Sequence, residues 1–152
     1  MKKNIIFRYI HLIIMENIKE KIEKHLAHDD FLTKDEVLFI IEKFTEFKYE
    51  GEAYRVLFFS NKTNECELSE DSSFSHDIKG IKYYSFKQDL DYYKYAQLYK
   101  VKLLGLDLYK ILKFYNVKNF EMADNEKEIV LGKLYEQELI FNDESLKLDS
   151  IL

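Results

Sequence analysis

The chain has 152 residues, 47% apolar and 16% aromatic, with a formal net charge of -5. That length and apolar content suit one domain with a real core and exclude global disorder, while the acidic balance argues against a nucleic-acid binder held by phosphate contacts. The single cysteine, Cys66, excludes an intramolecular disulfide, and the absence of proline leaves no Pro-rich linker to divide the chain.

Lys2 and Lys3 precede an apolar stretch that ends near Met15. Arg8 and His11 interrupt it, no small-residue cleavage site follows, and it is too short to span a bilayer. Residues 1–16 are therefore read as an N-terminal extension to one domain over 17–152, with no membrane association and cytoplasmic residence expected. Ile18, Ile22 and Leu26 recur among charges at a spacing that predicts a helix from about Asn17 to Ala27. His25 and His28 stand beside Asp29 and Asp30, which suits either metal ligands at a helical end or a solvated helix C-terminus where histidine favours the dipole. His11 and His76 are distant in sequence, so the solvated terminus is preferred and no metal is expected. Thr33-Lys34-Asp35-Glu36 is a capping box, with Leu32 and Val37 as a hydrophobic staple. The helix it starts runs through about Phe44 and turns Val37, Leu38, Ile40, Ile41 and Phe44 inward.

From Ala53 to Phe59 both alternate faces are apolar except at Arg55, which predicts a central strand buried on two sides. A guanidinium there snorkels from a strand end, forms a structural ion pair, or clamps a phosphate or carboxylate. Asn61 to Ser72, with Glu65, Glu67, Glu70 and Asp71, reads as a solvated acidic loop. Ser73-Phe74-Ser75 then precedes a helix-like segment, His76 to Phe86, with Ser75 as its expected N-cap and Asp77 in its first turn. Alternation of Tyr95, Gln97, Tyr99, Val101 and Leu103 with Lys94, Ala96, Leu98, Lys100 and Lys102 predicts an amphipathic strand with a lysine-bearing outer face. Gly105 is expected to turn the chain, and Asp107 to cap a helix striped by Leu108, Ile111, Leu112 and Tyr115. A loop at Phe120 to Asn125 leads to Glu126-Lys127-Glu128 and the strand Ile129-Val130-Leu131. At strand spacing the two carboxylates share a face, where they repel unless water or a cation separates them. Glu136-Gln137-Glu138 repeats the pattern, but the earlier pair follows a loop and opens a cleaner strand.

Arg55, then Ser73-Phe74-Ser75, then Glu126-Lys127-Glu128 resemble the ordered Arg, Ser-x-Ser and Glu-x-Glu signature of the arginine-type ADP-ribosyltransferases. The likeness runs from the capping box to Leu134. Val56 stands where many relatives have Gly, and Phe74 where Thr is frequent. The resemblance implies an α+β fold, N-terminal helices followed by a compact mixed β core, similar in size to small bacterial or phage-encoded members. It also implies NAD as co-substrate and no metal. Glu128 would stabilise the positive charge that builds on the ribose as the nicotinamide bond breaks, and Ser73 would orient it. Arg55 would hold the NAD phosphates, Ser75 would stand with the NAD-binding residues, and Phe74 or a nearby tyrosine would pack the nicotinamide. Glu126 would engage the acceptor arginine of a target protein, such as a host or defence component. Two other readings stay open: a protein of this fold that only hydrolyses NAD or acts as a non-catalytic partner-binding inhibitor, and an α+β interaction protein in which the motif order is coincidence.

Overall fold

The computed structural model describes residues 16–27, 29–69, 73–81, 93–116 and 127–152. Helix α1 spans 16–26 and α2 spans Lys34–Lys43. After a 3-10 turn at Thr45–Phe47 comes β1, Lys48–Phe59, and then the three-residue β2, Ser73–Ser75. A second 3-10 turn, Ile78–Gly80, precedes β3, Tyr95–Asp107. Helix α3 (Leu108–Phe114), strand β4 (Glu128–Glu144) and helix α4 (Ser145–Ile151) complete the described chain. The fold is α+β, a single domain.

The capping box at Thr33 is present: the Glu36 amide donates to Thr33 Oγ1 and the Thr33 amide donates to Glu36 Oε1. Val37, Ile40 and Ile41 of α2 meet Ile18 and Ile22 of α1 and Leu108, Ile111 and Leu112 of α3 in one apolar cluster. Asp107 caps α3 through its side chain, as expected, accepting from the Lys110 amide.

The four strands close into a barrel in the order β1-β2-β4-β3, and every pairing among the described residues is antiparallel. The expectation of a mixed β core is corrected accordingly. β1 pairs with β3 from Lys48↔Leu106 to Phe59↔Tyr95, whereas its seam with β2 is the single pair Tyr54↔Ser75. β4 has 17 residues against 13 in β3: three of the extra residues are absorbed at three register shifts, and the fourth, Glu128, pairs only with β2. Such bulges bend and over-twist a strand, which lets so few strands curl onto themselves.

Three further expectations change. β1 begins earlier than Ala53, and over 53–59 both faces are covered but only in part: Ala53 and Leu57 pack into one apolar cluster and Tyr54, Val56 and Phe58 into another, with only Ala53 and Val56 fully buried. Gly105 does not turn the chain. It lies inside β3 opposite Tyr49 and Leu131, next to a register shift, and a Cβ there would stand 2.6 Å from both Ile129 Cγ2 and the Val130 carbonyl oxygen. Close approach of β4 is what requires glycine at this position. The acidic connection after β1 is not merely solvated, because Leu68 is fully buried beside Phe74 and Tyr99. The Cys66 amide donates to Tyr99 Oη at 2.6 Å, and Gln137 brackets the same stretch, donating to the Cys66 carbonyl and accepting from the Leu68 amide. Glu65 and Glu67 remain exposed, while Glu70 and Asp71 lie outside the described residues.

The lysine-bearing face of β3 is present only in its middle, where Lys100 pairs with Glu52 at 3.4 Å and Lys102 with Glu136 at 3.6 Å. Ala96 and Leu98, on the same alternation, are buried under α4 with Leu148. Among the described residues no helix is long and apolar enough to cross a membrane. The N-terminal extension falls almost wholly outside the described residues, as does the expected loop at Phe120 to Asn125.

Candidate functional site

The site is built on β2 and the first residue of β4. Strand alternation turns Phe74 one way and Ser73 and Ser75 the other. Phe74 is fully buried in the cluster formed by Ala53, Leu68, Tyr99, Val101, Leu103, Ile129 and Leu131, which anchors this short strand. Its ring is therefore core, and the expectation that it packs a nicotinamide is corrected. Ser75 Oγ accepts from the Asp77 amide at 3.3 Å and donates to the Asp77 carbonyl at 2.7 Å. The cap of the following turn is Asp77 rather than Ser75, since Asp77 Oδ1 accepts from the Lys79 amide. That turn is a 3-10 turn, and residues 82–86 of the expected helix lie outside the described residues.

Ser73 and Glu128 meet. β2 pairs with β4 through Ser73↔Val130, Phe74↔Ile129 and Ser75↔Glu128, which sets the Ser73 and Glu128 side chains on one face. Ser73 Oγ donates to Glu128 Oε1 at 2.8 Å. Arg55 reaches the same strand from β1, its Nη1 donating to the Ser73 carbonyl at 2.9 Å. Three residues from three strands thus converge, with Ser73 contacting both of the others. Lys127 enters β4 in the left-handed region, at φ 51°, and its carbonyl accepts from the His76 amide at 3.1 Å, holding the turn that presents Glu128. Glu126 lies outside the described residues, so the paired-carboxylate face expected of it is not described. The second Glu-x-Glu sits in mid-strand, where Glu136 and Glu138 are exposed and Glu136 pairs with Lys102.

One residue of this cluster was missed by sequence reasoning. His25 is buried, not a solvated helix end: only 3% of it is exposed. Its Nδ1 accepts from the Leu32 amide at 3.1 Å, the Phe31 ring stands edge-on to the imidazole, and Nε2 lies 3.8 Å from Glu128 Oε1. Residues 18, 22 and 25 follow i, i+4, i+7 spacing, so the histidine shares the apolar face of α1. That periodicity was the signal available for finding it. Asp29 and Asp30 are exposed, His28 lies outside the described residues, and no group of three or more His, Cys, Asp or Glu side chains is gathered to hold a metal among those described.

A partly exposed aromatic pair stands beside the cluster. Tyr49 of β1 stacks on His76, the residue after Ser75, with ring centroids 5.7 Å apart. Burial, and then the nearby Asp107 charge, push the Tyr49 phenol above its ordinary range, so it stays protonated and hydrogen-bonds to the Glu52 carbonyl.

The arrangement can hold one carboxylate in a fixed orientation, with Oε1 occupied by the Ser73 hydroxyl and a cationic guanidinium on the adjacent strand. No family model, curated protein or solved structure matches this chain.

Proposed function

We propose that this chain is a mono-ADP-ribosyltransferase that moves ADP-ribose from NAD to an arginine of a target protein. The observation that carries the reading is the contact of Ser73 with both Arg55 and Glu128. Arg55, Ser73 and Glu128, three of the five residues that the motif resemblance assigns to NAD, are adjacent in space, although the sequence alone placed them only in order. A carboxylate held by a hydroxyl is the group that C–N glycoside cleavage requires, because positive charge develops on the ribose as nicotinamide departs. With Oε1 engaged by Ser73, Oε2 of Glu128 is the oxygen left for the ribose. Arg55 offers the planar fork suited to phosphate oxygens. The Tyr49–His76 stack takes over the aromatic role that Phe74, being buried, does not fill. Glu126 is assigned to the acceptor arginine by resemblance alone.

The test is transfer of label from tagged NAD to proteins of a bacterial lysate, run beside Glu128→Gln, which keeps shape and removes the charge. A discrete labelled band that disappears in the variant supports the transferase. Free nicotinamide without a band supports an NAD hydrolase of the same site. With neither product, and with no thermal shift of the protein at saturating NAD, the reading fails and a non-catalytic binding protein takes its place.

A further inference from the structure

His25 comes from α1, outside the three motif-bearing strands, yet it points at the same oxygen that Ser73 engages. The Leu32 amide donates to Nδ1. A lone pair already accepting a hydrogen bond cannot also carry the ring's proton, so the neutral imidazole bears its proton on Nε2. That Nε2 stands 3.8 Å from Glu128 Oε1, in close electrostatic contact but too long for a hydrogen bond. Both side chains are largely withdrawn from water, 4% and 12% exposed, so bulk solvent competes poorly for either group. Hydrogen bonds among catalytic groups often tighten in the complex with ligand.

We propose that His25 is a positioning residue for Glu128: its Nε2–H closes on Oε1 when the site is filled, fixing Oε1 between two donors and turning Oε2 to the ligand. The Leu32 contact makes the connection after α1 part of this device, because it sets which ring nitrogen faces the carboxylate. Its activity readout rests on the NAD chemistry proposed above. The geometry does not.

Two substitutions separate the role from simple packing. The asparagine amide oxygen reaches about where Nδ1 stands, so His25→Asn keeps an acceptor for the Leu32 amide and removes the donor to Glu128. The glutamine amide nitrogen reaches about where Nε2 stands, so His25→Gln does the reverse. His25→Asn is expected to keep a Tm near that of the wild type and to lower kcat for nicotinamide release about tenfold or more, with KM for NAD little changed. His25→Gln is expected to lose Tm and recover most of the lost kcat. If both variants lose kcat in step with Tm, His25 is a core residue only and the proposal is overturned.

A second measurement needs no activity. Nitrogen-15 NMR of the imidazole in the wild-type chain is expected to show Nε2 protonated and Nδ1 bare, with the Nε2–H resonance moving in Glu128→Gln. A proton on Nδ1, or an Nε2–H resonance indifferent to Glu128→Gln, overturns the proposal. Should the wild-type chain release no nicotinamide, the transferase reading falls, and this spectrum still decides the role of His25.

Discussion

Ser73 and Glu128 lie on adjacent antiparallel strands but not directly opposite one another: Ser73 faces Val130, Glu128 faces Ser75, and the hydroxyl reaches the carboxylate along the diagonal at 2.8 Å. Ser73→Ala removes that donor and leaves the strand otherwise intact, because Phe74 supplies its anchor. The expected outcome is a fall in kcat for nicotinamide release of roughly 10–100-fold, the usual consequence of freeing a group from its orienting partner. Steady-state kinetics measure it. A destabilisation of about 1 kcal/mol accompanies the lost hydrogen bond and is read by urea unfolding.

Arg55→Lys tests the guanidinium. Lysine keeps the charge but replaces a planar fork with a point cation, so it cannot hold the Ser73 carbonyl and a phosphate in one rigid geometry. KM for NAD is expected to rise about tenfold, which corresponds to roughly 1.4 kcal/mol of lost binding, with a smaller change in kcat. Titration calorimetry with NAD measures the lost binding itself, which KM reports only when chemistry is slow relative to dissociation.

Gly105→Ala probes the fit of β3 on the start of β4. Of the two atoms 2.6 Å from the added methyl, one is the end of the Ile129 side chain and the other is a backbone oxygen of Val130, which moves only if the strand moves. Overpacking of this kind costs about 1–3 kcal/mol. Because Val130 is two residues from Glu128, nicotinamide release, under the proposed reading, is expected to fall too. Urea unfolding and the activity assay, run on the same sample, check both halves.

Glu36 couples α1 to α2, accepting from Lys21 Nζ at 2.5 Å while closing the capping box on Thr33. The Lys21 hydrogen bond, and then the Thr33 amide, hold its carboxyl below the ordinary 4.5. A carboxyl depressed in the folded state stabilises it above the unfolded value, and that advantage disappears as pH falls through the folded value. Glu36→Gln keeps the capping box and loses the charge that pairs with Lys21, so it is expected to cost about 0.5 kcal/mol at neutral pH, as befits an ion pair at a partly exposed site. The difference from wild type should shrink as pH falls below 4.5 and be lost once pH has passed the depressed folded value. Thermal melts from pH 3 to 7 report it.

Features governed by neighbouring residues were legible in the sequence. The Thr33 capping box and the Asp107 cap depend on side chains within three residues of the backbone they satisfy, and both stand as expected. Gly105 was misread because its constraint comes from β4, which local sequence does not show. The antiparallel sense of the sheet was likewise not written in short apolar runs, which look alike in either pairing. Arg55, Ser73 and Glu128 were identified by order and resemblance, and their contact depends on a register no local pattern encodes. His25 carried its own clue in the i, i+4, i+7 spacing with Ile18 and Ile22, but a histidine near two aspartates at a helix end reads first as solvated.

The thinness of β2 has a consequence for how these contacts can be broken. β3 pairs along its length with both β1 and β4, whereas β2 contributes three residues and joins β1 through one pair. The orienting hydroxyl sits on that least-paired segment. Displacing it withdraws Phe74 from the core and breaks the contacts of Ser73 with both Arg55 and Glu128. A short extended peptide that takes the place of Ser73–Ser75 between β1 and β4 would therefore break the Arg55–Ser73–Glu128 contacts without competing for the groups that Glu128 and Arg55 face.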